Sequence, residues 1–102
     1  PVESSPLALA NAASIPEDDL IATDQRFPDR VGEIYQLAFG KEHEWYYAPG
    51  MMPHEVILIK GWDSLKDGRA QFTPHGAFEH PSETPRSKPR ESIETRTYLV
   101  FN

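Results

Sequence analysis

Proline and glycine break this chain so often that little of it can run as a long helix. Ten prolines and six glycines are spread over 102 residues. Each proline removes a backbone donor and locks φ, and each glycine costs a helix interior about 1 kcal/mol against alanine. Short strands joined by loops are therefore expected, over a helical bundle. The length suits one small domain. Hydrophobic residues at 38% and aromatics at 11% allow a modest core.

The apolar segments between the breaks predict a mainly β chain with one short helix. Pro6 to Ala10 reads as a strand or a short turn. Ser14 as a cap, Pro16, and the acids Glu17, Asp18 and Asp19 are helix-start signals, and they predict a helix ending by about Thr23. Asp24 to Arg30 reads as a polar connector. Gly32 to Phe39 and Glu44 to Tyr47 are predicted to form a hairpin around Gly40–His43. Glu55 to Trp62 is the most apolar run, short and β-branched, and is expected to be a buried strand. Asp63 to Gly68 is a polar loop, and Arg69 to Thr73 a strand leading into His75. Glu79 to Pro89, broken by Pro81, Pro85 and Pro89, is a long loop of the kind tied to a site or to disorder. Glu91 to Phe101 is read as a final strand. With one helical segment to serve as a crossover, antiparallel order is expected. No linker separates two cores, so residues 1–102 form a single domain.

Several function classes drop out on composition. Acids outnumber bases for a net charge of −6, and the pI is about 5.1. Binding to nucleic acid needs clustered Lys and Arg and is not expected. There is no cysteine, which removes disulfides, thiolate catalysis and cysteine zinc sites. No apolar run approaches the ~20 residues of a membrane helix, and no signal peptide is visible. A cytoplasmic setting is the default expectation. The chain opens Pro1-Val2-Glu3 with no initiator Met, as a processed product or a fragment does.

Three residues carry the candidate chemistry: His75, Arg90 and Ser92. Side chains alternate along a strand, so Arg90, Ser92, Glu94, Arg96 and Tyr98 would share one face of the last strand. Gln71, Thr73 and His75 would share a face of the preceding one. If the two strands are neighbours in a barrel, both polar rows can line a pocket. A guanidinium fork can hold a carboxylate bidentately, which a lysine cannot do in the same geometry. The plain structural alternative is a surface histidine after Pro74, with Arg90 and Ser92 solvated on an edge strand.

The wider wording is more specific. Pro28-Asp29-Arg30-Val31-Gly32-Glu33-Ile34-Tyr35, Trp45-Tyr46-Tyr47-Ala48-Pro49-Gly50-Met51, Leu58-Ile59-Lys60-Gly61-Trp62-Asp63-Ser64, Phe72-Thr73-Pro74-His75-Gly76-Ala77-Phe78 and Pro89-Arg90-Glu91-Ser92-Ile93-Glu94 occur in this order. Together they resemble the C-terminal part of the fungal and bacterial hydroxylase/desaturase family, which includes gibberellin desaturase-like proteins and relatives of the cephem 7α-hydroxylase. The resemblance covers nearly the whole chain. It implies a non-haem iron(II)/2-oxoglutarate oxygenase on a double-stranded β-helix (a jelly-roll, cupin-like fold), of which this chain would be the C-terminal half, a partial domain. It implies that His75 ligates iron(II), Arg90 holds the far carboxylate of 2-oxoglutarate, and Ser92 is its hydrogen-bonding companion. Lys60 and Arg69 are alternatives for the carboxylate. The implied setting is hydroxylation or desaturation of a small-molecule substrate in secondary metabolism.

One departure stands out. The facial triad needs two histidines and one carboxylate. The family's first histidine and its acid lie upstream in a His-x-Asp type motif, and this chain has no His-x-Asp or His-x-Glu. His43-Glu44 and His54-Glu55 are adjacent pairs, whose side chains would leave a strand on opposite faces. His43, His54 and His80 are therefore expected to be solvated structural residues. On this reading the chain alone is inactive, and its unpaired strands favour self-association. The rival readings are a truncated, non-catalytic remnant and a small β-rich binding module without metal.

Overall fold

The computed structural model describes residues 1–102 as a mainly β chain with two antiparallel sheets. The first sheet has β1 (Leu7–Ala10) at its centre, flanked by β4 (Trp45–Tyr47) and β5 (His75–Ala77). Ala8 faces Tyr47 on one side and Gly76 on the other. The second is a hairpin of β2 (Leu20–Arg26) and β3 (Val31–Leu37), in register from Leu20↔Leu37 to Arg26↔Val31.

β1 alternates strictly: Ala8 and Ala10 are buried, at 7% and 6% exposure, while Leu7 and Leu9 are half-buried on the other face. The ladder to the β5 side runs one step past each end, through Ala10 N–H to Pro74 O (2.9 Å) and Phe78 N–H to Pro6 O (3.2 Å). The hairpin turns through Phe27-Pro28-Asp29-Arg30, where proline and aspartate suit a tight reversal. Phe27 N–H donates to Arg30 O at 2.8 Å, and the Arg30 guanidinium lies 4.6 Å from the centre of the Phe27 ring.

The expected helix is replaced by two 3-10 turns, Ala12–Ser14 and Glu17–Asp19. Pro16 and the three acids start the second turn as anticipated, and Asp19 N–H reaches Pro16 O at 3.0 Å. Ile21 and Thr23 come next. β-Branched residues gain more from a strand partner than from a helix too short to repay its nucleation. The stretch read as a connector belongs to β2 as far as Arg26.

The expected hairpin of 32–39 with 44–47 is also corrected. A turn does form at Gly40–His43, with His43 N–H on Gly40 O at 3.2 Å. It joins the two sheets instead of closing one of them: β3 pairs back onto β2, and β4 pairs with β1.

Residues 55–62, 69–73 and 91–101 contain no strand. Val56 and Leu58 are 80% and 92% exposed, so the run expected to be buried lies in the open. A strand exists only where another edge satisfies its backbone groups, and a single bond, Thr73 N–H to Lys60 O at 3.0 Å, joins 69–73 to 55–62 without building a ladder. Three of 102 residues are buried. The 25 backbone–backbone hydrogen bonds fall well short of the roughly 70 of a fully packed domain this size. The radius of gyration, 15.8 Å, exceeds the ~13 Å of a compact 100-residue domain. No helix is long and apolar enough to cross a membrane.

Candidate functional site

His75 opens β5 opposite Leu9, and Leu9 in turn faces Tyr46 of β4. Cross-strand partners share a face, so Tyr46, Leu9 and His75 form a row across the sheet, away from the buried Ala8 and Ala10. The ring of His75 is oriented by its own turn: Nδ1 lies 2.9 Å from Thr73 O. A carbonyl oxygen only accepts. In the neutral ring Nδ1 therefore carries the hydrogen, and Nε2 keeps a free lone pair. A backbone carbonyl on the far nitrogen is the usual way to orient a metal-binding imidazole.

Arg90 is half-buried and Ser92 exposed, both in extended chain outside any strand. The expected neighbouring strands of His75 and Arg90 are thus not formed: β5 pairs with β1. Two surface depressions, of about 440 and 240 Å³, are lined by other residues, among them His43 and Trp45 in the first and Arg69 and Phe72 in the second.

The alternative cations are already engaged. Lys60 Nζ donates to Asp63 Oδ2 at 2.8 Å and to Ala70 O at 3.1 Å. The Lys60 hydrogen bond, with the Leu65 N–H, holds the Asp63 carboxyl below its ordinary range. Arg69 grips Asp67 twice, through Nε at 3.0 Å and a second nitrogen at 2.9 Å. Of the three candidates, Arg90 alone makes no ion pair with a carboxylate of this chain.

The remaining histidines differ. His43 is not solvated: 3% of its side chain is exposed, and Nε2 lies 2.7 Å from Asp19 Oδ2. His80 is half-buried with both ring nitrogens engaged, Nε2 to Tyr47 Oη at 2.8 Å and Nδ1 to Ser82 Oγ at 2.6 Å. Its ring packs 5.5 Å from that of Tyr47, which meets Phe78 edge-on at 5.1 Å. His54 is exposed. Tyr46 lies one strand beyond Leu9 from His75. Its hydroxyl donates to Glu44 at 3.1 Å, and that bond, with the carboxylate's charge, raises its pKa. Nothing in the local sequence signals that β4 and β5 flank the same strand.

No group of three His, Asp or Glu side chains converges on one point. The donor set of this chain therefore does not fit a complete iron(II) facial triad.

A family model described as an oxidoreductase/YMDC permease-like domain matches residues 1–101. The chain is 38% identical over 111 residues to hydroxylase/desaturase efuI of Hormonema carpetanum, covering 98% of this chain and 37% of that protein. It is 36% identical to hydroxylase/desaturase asaB of Aspergillus flavus, covering 99% of this chain and 51% of the relative. It is 39% identical to alpha-ketoglutarate-dependent dioxygenase phiK of a fungal species, over 98% of this chain and 37% of the relative. The chain thus spans between a third and about half of the length of these proteins. It belongs to this oxidoreductase family, beside fungal hydroxylase/desaturases and alpha-ketoglutarate-dependent dioxygenases.

Proposed function

We propose that this chain is the C-terminal portion of an iron(II)/2-oxoglutarate-dependent oxygenase, a hydroxylase or desaturase acting on a small molecule of secondary metabolism. The complete protein would be a double-stranded β-helix, with this chain as part of that single domain. His75 supplies one iron ligand through Nε2. The other histidine and the carboxylate come from outside this chain. Arg90 takes the far carboxylate of 2-oxoglutarate through two charge-assisted hydrogen bonds, and Ser92 adds a third polar contact. No activity is expected of residues 1–102 alone.

The observation that carries this reading is the His75 ring, whose Nδ1 is committed to Thr73 O at 2.9 Å while Nε2 is left open. The unpaired state of Arg90, beside the engaged Lys60 and Arg69, supports its part. A second reading is a non-catalytic remnant or metal-free binding module, in keeping with a chain in which no three potential metal ligands cluster.

The test is made on the natural protein, by intact mass, bound iron and succinate release that depends on 2-oxoglutarate. A longer protein holding one iron, which loses it in His75→Ala, supports the oxygenase. A natural product of 11.6 kDa that retains no iron supports the remnant.

A further inference from the structure

The loop that delivers Arg90 is held by the first residues of the chain. It is built from two turns, closed by Glu83 N–H on His80 O and by Ser87 N–H on Thr84 O, each at 2.9 Å. Glu83 Oε1 accepts the N–H of Ser5 at 2.7 Å, which ties the first turn to the N-terminal segment. Lys88 is gripped on both sides: its N–H donates to Glu3 Oε2 at 2.9 Å, and its C=O accepts from Ser4 Oγ at 2.7 Å. Three consecutive residues, Glu3, Ser4 and Ser5, therefore meet a loop some eighty positions away, by separations of 85, 84 and 78.

The backbone between Lys88 and Arg90 is stiff. Pro89 locks its own φ and confines Lys88 to extended backbone. Few soft dihedrals lie between the gripped peptide and the Arg90 Cα. A guanidinium that must meet a carboxylate with both branches of its fork is sensitive to small displacements of that Cα.

We propose that Glu3 and Ser4 are positioning residues for Arg90: by clamping both sides of Lys88 they set where the guanidinium stands, so 2-oxoglutarate affinity depends on them although neither touches it. This rests on the reading of Arg90 as the carboxylate clamp.

The experiment uses the full-length natural protein loaded with iron(II). It compares Glu3→Ala, Glu3→Gln, Ser4→Ala and Arg90→Ala by 2-oxoglutarate Kd, by kcat at saturating 2-oxoglutarate, and by hydrogen exchange at the Lys88 amide. Losing one exposed hydrogen bond of the clamp should weaken 2-oxoglutarate by roughly three- to tenfold. In Glu3→Ala the Lys88 amide should exchange faster, and kcat should hold. Glu3→Gln keeps an acceptor oxygen for the Lys88 N–H and should restore the affinity. If Glu3→Ala does not fold, Ser4→Ala carries the same test from the other side of the residue. If Arg90→Ala weakens 2-oxoglutarate while Glu3→Ala and Ser4→Ala leave it unchanged, the positioning role is overturned and the clamp stands. If Arg90→Ala leaves the affinity unchanged, the clamp itself is overturned and the positioning role with it.

Discussion

His43 Nε2 lies 2.7 Å from Asp19 Oδ2 and ties the turn that leaves the β2–β3 hairpin to the residue that enters it. Asp19 O also accepts the Ala38 N–H at 2.8 Å, so both strand ends close on one residue. Removing the Asp19 carboxylate strands a nearly buried imidazole. Asp19→Ala in the full-length protein should cost about 1.5–3 kcal/mol, read as a lower urea midpoint at unchanged m-value. An unchanged midpoint would show that the pair carries no stability.

Gly40 makes that approach possible. A Cβ there would lie 2.5 Å from His43 Nε2 and 2.9 Å from Asp19 Oδ2. Gly40→Ala should destabilise by about 1–3 kcal/mol through overpacking. In the Asp19→Ala, His43→Ala background, which removes both obstructing groups, the same substitution should cost much less. Equal costs in the two backgrounds would place the strain elsewhere.

Glu83 gives a pH-dependent link between the N-terminal segment and the Arg90 loop. The N–H groups of His80 and Ser5 hold its carboxyl below the ordinary value of 4.5. A depressed carboxylate stabilises the fold above the unfolded pKa, and the contribution fades as pH falls through the folded one. The amide resonances of Ser5 and His80 should shift together on acidification below about 4.5, with a midpoint under that of a free glutamate. In Glu83→Gln this step should vanish. Its persistence would assign it to another acid.

For the proposed oxygenase, Arg90→Ala should spare iron and weaken 2-oxoglutarate. Breaking a pair of this kind costs roughly 2–5 kcal/mol, a loss of more than tenfold in affinity. His75→Ala should remove iron and turnover together. Unchanged 2-oxoglutarate dependence in Arg90→Ala would turn attention to Lys60 and Arg69, each of which would first have to leave its aspartate.

Residues 1–102 expressed alone should self-associate. Leu58, Ile93 and Val100 are 92%, 95% and 91% exposed, and open backbone beside such residues recruits another chain. Light scattering should show species above 11.6 kDa, reduced by Leu58→Lys and Val100→Lys. A monomer with a sharp cooperative melt would favour an independent module.

Residue patterns alone were enough for the β class, the breaks, the family and the residues worth testing. These are local properties: β-branched runs, prolines at turns, and motifs such as Phe72–Phe78 in a recognisable order. They marked Pro16–Asp19 as a helix start, and a single 3-10 turn does begin there. Which edges meet was settled only in three dimensions. The fold set β1 between β4 and β5, buried His43 on Asp19, and fastened Lys88 to Glu3 and Ser4. Pairing across 24 to 85 residues leaves no local trace, because backbone donors and acceptors are the same at every position that is not proline. The strands expected at 55–62 and 91–101 illustrate the same physics. Their composition suits a strand, but a strand is a relation between two edges, and neither segment finds a ladder of partners within this chain.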